Sequence, residues 1–152
     1  MEGQKIPKQS RTVDFTLSDG SRVRGDVFLH LFTFRHDSTQ RLDELLNDDN
    51  TRFIPVKRVP EGLVTLLNLN HVVMVEADRQ EDSDELTELG DKRAVTVTAF
   101  GQEPIRGDIH INLPNEHGRV QDFFNQSLKF SALYQDHRVV YINHNHILSV
   151  TD

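Results

Sequence analysis

The chain of 152 residues contains no cysteine, which excludes disulfides and thiolate metal sites and fits a reducing compartment. It also lacks a long apolar run. The longest apolar-rich stretch, Leu63 to Val75, is interrupted by Asn68, Asn70 and His71, and falls well short of the roughly 20 residues a membrane-spanning helix needs. The opening residues, Met1 to Lys8, hold no apolar stretch of the signal-peptide kind. Positive charge is in deficit: 17 Lys and Arg stand against 24 Asp and Glu, a formal net charge of -7. That balance disfavours a broad basic surface for nucleic acid or anionic lipid. There is no Gly-rich phosphate loop followed by Lys and Ser or Thr, no nucleophile elbow, and no carboxylate pair placed by sequence in a recognisable pocket. The expectation is a cytoplasmic, non-enzymatic protein with no cofactor and no membrane partner.

What the chain does have is an internal repeat. Val13 to Leu31 aligns without a gap on Val95 to Leu113, sharing Arg24-Gly25-Asp26 with Arg106-Gly107-Asp108. Val64 to Val75 aligns on Val139 to Val150, sharing Asn68 with Asn143, Asn70 with Asn145 and His71 with His146. The predicted organisation is a flexible tail over residues 1–10, repeat one over 11–77, an acidic linker over 78–91 and repeat two over 92–152. The linker is dense in Asp and Glu with little to bury, as a solvated connection would be.

The same elements recur in each copy. Val13 to Leu17 alternates apolar and polar residues, as a half-buried strand does. Asp19-Gly20 reads as a tight hairpin turn, and Arg22 to Leu31 as a second strand, with Gly25 marking a bulge or sharp bend. A short helix follows, with Asp37, Ser38 and Thr39 as cap candidates before Leu42, Leu45 and Leu46. In copy two, Asn115 is the candidate cap before Val120, Phe123 and Phe124. Arg52 to Lys57 and Lys129 to Tyr134 form a third strand, where Pro55 suggests an edge or bulge. Leu63 to Leu67 and Arg138 to Ile142 form the fourth. After an Asn-containing turn, His71 to Glu76 and His146 to Val150 form the fifth. The predicted fold is mainly β with short helices: two tandem copies of a small, bent, antiparallel barrel-like unit of order β-β-α-β-β-β, packed as a pseudo-two-fold pair.

The run Leu17 to Val27 resembles the opening motif of Sm-like and SH3-like small barrels, and Asn70 to Val75 resembles the last strand of the Sm-like motif. Sm-like proteins carry their helix before the barrel, whereas here it falls within the unit, and no counterpart of their basic and aromatic RNA-contacting loops stands out. The whole pattern, from the Gly-Asp strand to the Asn-x-Asn-His closing strand, resembles a bacterial domain family of unknown function usually met in single copies. That resemblance implies a bacterial source and no inherited activity.

Among candidate sites, five of the eight histidines lie in copy two, and His144 and His146 with His110 or Asp108 are the candidates for a metal site of imidazole and carboxylate. Against this, His71 and His146 occupy equivalent turn positions, where hydrogen bonding to the turn is the simpler role. Asn68 and Asn143 suit turns through local side-chain bonding; a paired amide site for a nucleotide base or peptide is the alternative. Gly25, Gly107, Asn68, Asn143, His71 and His146 are accordingly structural repeat positions. The function expected is protein–protein interaction or scaffolding, through a protein partner or self-association at exposed strand edges and inter-copy grooves. The alternative is an RNA- or nucleotide-binding barrel using a local patch such as Arg22, Arg24, Lys57 and Arg58.

Overall fold

The computed structural model describes residues 8–31, 39–79, 90–114 and 119–152. The first copy comprises β1 (Lys8–Leu17), β2 (Arg22–His30), α1 (Leu42–Leu46), β3 (Phe53–Arg58), β4 (Val64–Asn68) and β5 (Val72–Asp78). The second repeats that order with β6 (Asp91–Ala99), β7 (Ile105–Ile111), α2 (Val120–Phe124), β8 (Phe130–Tyr134), β9 (Arg138–Asn143) and β10 (Ile147–Thr151). A single 3-10 turn joins β4 to β5 (Leu69–His71) and another joins β9 to β10 (His144–His146). β1 begins at Lys8 and β5 runs to Asp78, so both ends of the first copy extend into the segments expected to be tail and linker; the acidic residues 80–89 lie outside the described residues.

β1 buries Val13 and Phe15 while Thr12 and Asp14 face outward, the alternation its sequence requires. It turns through Asp19-Gly20, with Gly20 at φ +87°, a backbone region open to glycine at little cost. The Asp19 carboxylate accepts from the Ser21 hydroxyl and amide, which lowers its pKa. β2 returns antiparallel, with Val13 opposite Gly25.

Gly25 and Gly107 owe their place to contact. A Cβ on Gly25 would lie 2.5 Å from Val56 Cγ1 and 2.7 Å from the Lys57 carbonyl oxygen; one on Gly107 would lie 2.7 Å from Leu133 Cγ and 2.8 Å from the Tyr134 carbonyl oxygen. At these points β3 and β8 cross onto the preceding strands, and the β2–β3 pairing is confined to Gly25↔Arg58 and Asp26↔Lys57. Pro55, opposite Leu66 of β4, sits where β3 has already parted from β2, so its missing N–H breaks no ladder on that side.

Each helix is a single turn. The caps expected at Thr39 and Asn115 are replaced by Arg41 and Arg119: the Arg41 amide donates to Glu44 Oε1 (3.0 Å) and the Arg119 amide to Asp122 Oδ2 (3.3 Å). The carboxylate three residues on satisfies the first free amide, as in a capping box. Thr39 is described but non-helical, and Asp37, Ser38 and Asn115 lie outside the described residues.

The two copies share one strand order, β5-β1-β2-β3-β4 and β10-β6-β7-β8-β9, and β5 pairs with β9 to make a single ten-stranded antiparallel sheet. Two expectations are thereby corrected. The sheet does not close into barrels, because β4 and β10 stay at its ends instead of meeting other strands of their own copies. The copies are not a pseudo-two-fold pair either. A two-fold would bring one strand position against itself, whereas here the fifth strand of copy one meets the fourth strand of copy two.

The hydrophobic interior follows this junction. One cluster gathers Phe15, Val27, Leu42 and Ile54 of copy one with Phe130 and Val139 of copy two. The other gathers Val95, Ile109 and Leu133 of copy two with Val73 and Met74 of copy one. Each unit completes its neighbour's core, which offsets the thin interior of so small a unit.

Candidate functional site

The residues shared by the two copies fall into two sets: those that build each unit and those that join units. The turn asparagines do both. Asn68 Oδ1 accepts from the Asn70 amide and Asn143 Oδ1 from the Asn145 amide, each at 3.0 Å. Asn143 alone goes further. It is buried, and its Nδ2 donates across the junction to the carbonyls of Leu69 (3.3 Å) and Val72 (2.9 Å). His146 Nε2 lies 3.0 Å from the Asn70 carbonyl of the other copy, while His71 Nδ1 lies 3.2 Å from Ser18 Oγ within its own.

The remaining histidine candidates do not converge with His146. His110 meets the Tyr134 ring edge-on at 4.6 Å. His144 bonds Ser131 Oγ and packs near Phe124, and burial lowers its pKa. Among the described residues there is no group of three or more His, Asp or Glu side chains able to hold a metal ion. The Arg-Gly-Asp triplets serve the strands. Arg24 pairs with Asp14 across the hairpin (2.9 Å) and Asp108 with Lys92 (3.5 Å). Arg41 pairs with Asp43 (3.0 Å) of its own helix. In the Arg22, Arg24, Lys57, Arg58 patch, the Arg24 charge is matched by Asp14, and Arg58 Nε donates to Thr65 Oγ1 (3.1 Å).

A residue whose role the sequence did not disclose, Asn47, closes α1 and fastens the copies together. Its Oδ1 accepts from the Lys129 amide (2.9 Å) and the Phe130 amide (2.8 Å), and its Nδ2 donates to the Phe130 carbonyl (3.1 Å). The signal available beforehand was its recurrence as Asn125 at the end of α2. Beside it, Arg41, Asp43, His110, Phe130 and Tyr134 line a cleft of 230 Å³ between the copies, below the range of roughly 300–1,000 Å³ usual for small-molecule sites.

The surface that stands out is the pair of sheet ends. Among the described residues, β4 and β10 each have a strand partner on one side only. Five of the eight large exposed apolar side chains lie on or beside these ends: Phe53, Leu63, Val64 and Leu66 at one, Leu148 at the other. The fourth strand of copy one is apolar on both faces, Leu63-Val64-Thr65-Leu66-Leu67. Of these residues only Leu67 is buried, while Leu63, Val64 and Leu66 are each more than 60% exposed. An uncovered apolar edge is a template for strand addition. Comparisons of the chain with protein-family models, with curated proteins and with solved structures find no match.

Proposed function

We propose that the protein is a non-enzymatic interaction module that engages proteins by strand addition at the outer edges of β4 and β10. The observation that carries this reading is the exposed apolar character of those edges. Backbone groups along an open edge supply affinity, and alternate side-chain positions supply selectivity. The net charge of -7 and the pairing of Arg24 with Asp14 favour a protein over a nucleic acid as the ligand. The absence of cysteine fits action in the cytoplasm, and among the described residues no helix is long and apolar enough to cross a membrane.

Affinity purification from native cells, run in parallel on the wild-type chain and a Leu66→Lys/Leu148→Lys variant, tests the reading. A reproducible set of proteins, this chain included, is expected with the wild type and is lost with the variant. Retrieval of nucleic acid, or a protein set indifferent to both substitutions, would overturn it.

A further inference from the structure

Resting on that edge-strand reading, we infer that the strand each outer edge accepts comes from a second copy of this chain, joined head to tail, with β4 of one copy pairing with β10 of the next. The junction inside the chain is the template. There the fifth strand of one unit pairs with the fourth strand of the next, a heterologous contact that leaves the complementary halves of the same contact free at the two ends. β4 is the repeat equivalent of β9, and β10 of β5.

The side chains follow the same equivalence. Phe130, Val139 and Tyr141 are 2%, 0% and 4% exposed at the inner junction; their counterparts Phe53, Val64 and Leu66 are 52%, 62% and 64% exposed. On the opposite edge, Val73 is 0% exposed and its counterpart Leu148 is 64%. These four apolar groups buried at the inner junction therefore have apolar equivalents exposed outside, whereas Met74 and Val140 are matched by Ser149 and Thr65.

The polar fasteners repeat too. Asn125 ends α2 as Asn47 ends α1. Asn125 is exposed, and its side chain makes no hydrogen bond among the described residues. Placed head to tail, the Arg52 and Phe53 backbone of a second copy offers it the three groups that Lys129 and Phe130 offer Asn47. Asn68 Nδ2 would meet the carbonyls of His144 and Ile147, as Asn143 meets those of Leu69 and Val72. His71 would meet the Asn145 carbonyl, as His146 meets that of Asn70. An unrelated protein strand would satisfy the edge but not this set of side chains.

The register is fixed by the template. Met74↔Ile142, Val75↔Tyr141 and Glu76↔Val140 inside the chain become Ser149↔Leu67, Val150↔Leu66 and Thr151↔Thr65 between copies. The inner Arg138–Glu76 ion pair at 2.9 Å has Leu63 and Thr151 as its outer equivalents, so the outer contact lacks that ion pair. Repeated, the contact closes into a ring of whole chains or extends as a filament.

Native mass spectrometry and sedimentation of the purified chain test this, using Leu66→Lys and Leu148→Lys, two substitutions at exposed positions. Wild-type protein is expected above the 17.5 kDa monomer, as one discrete assembly or as a ladder. Each variant alone is expected to be monomeric. An equimolar mixture of the two gives a one-to-one dimer and stops there, because the intact β10 of one meets the intact β4 of the other and the remaining edges are blocked. Asn125→Ala weakens wild-type association by about tenfold. A wild-type chain that stays monomeric at about 100 μM, or a Leu148→Lys variant that still assembles, would overturn the inference. If that happens while capture from cells remains edge-dependent, self-association alone fails and the edge-strand reading stands.

Discussion

At the scale of single residues, Gly25 and Gly107 set how closely the third strand of each unit can cross the second. The contacts a methyl group would make involve backbone carbonyls as well as Val56 and Leu133, so the strain cannot be relieved by a rotamer change alone. Gly25→Ala and Gly107→Ala are each expected to cost about 1–3 kcal/mol, measured as a lower urea midpoint. His144 adds a pH dependence. Burial holds its imidazole pKa below the ordinary 6.5, so on acidification the unfolded chain takes up a proton before the folded one does. The unfolded state then binds more protons, and stability falls as pH drops below about 6.5 and levels off beneath the folded value. Above that window the residue contributes no slope. Thermal melts between pH 7.5 and 5 are expected to show this loss, and a His144→Gln variant a shallower one; an unchanged slope in the variant would assign the dependence to other groups.

At the scale of elements, the joint between α1 and β8 is the most informative. Removing the Asn47 side chain leaves the Lys129 and Phe130 amides and the Phe130 carbonyl without the partners they have now. Asn47→Ala is expected to destabilise the fold by about 1–3 kcal/mol, whereas Asn125→Ala in the dilute monomer should change it by less than about 0.5 kcal/mol. Equal losses in denaturant titrations would mean that α2 is fastened in some other way. The strands and both helices were legible in the sequence because the alternation of Val13 and Phe15 and the spacing of Leu42 and Leu46 report burial directly. The helix caps were not, because the carboxylate of Glu44 or Asp122 caps from inside the helix, and Asp, Ser and Thr upstream gave the more familiar signal. The shared order of elements along the two units followed from the repeat. The partnership between units did not, since nothing local in β5 or β9 states which strand of the other copy each will meet. The apolar run Leu63 to Leu67 was visible as a strand, but its exposure followed only from its place at the end of the sheet.

At the scale of the whole molecule, the two copies form an open series. Val73 and Met74 complete the second core, and Phe130 and Val139 complete the first, so each unit draws part of its core from the other. On the head-to-tail proposal, two units in one chain make that contact once, at the centre, and leave its complementary halves open at both ends. On the same proposal, head-to-tail pairing accounts for apolar side chains at the sheet ends of a chain whose formal net charge is -7. The absence of cysteine from the natural chain makes the decisive measurement simple. Thr65→Cys and Thr151→Cys place single thiols at positions that head-to-tail pairing sets opposite each other, within the Cα separation a disulfide spans. Under mild oxidation, an equimolar mixture of the two variants is predicted to give a covalent heterodimer, while neither variant alone cross-links appreciably. No cross-link in the mixture, or efficient cross-linking of Thr65→Cys to itself, would contradict the account.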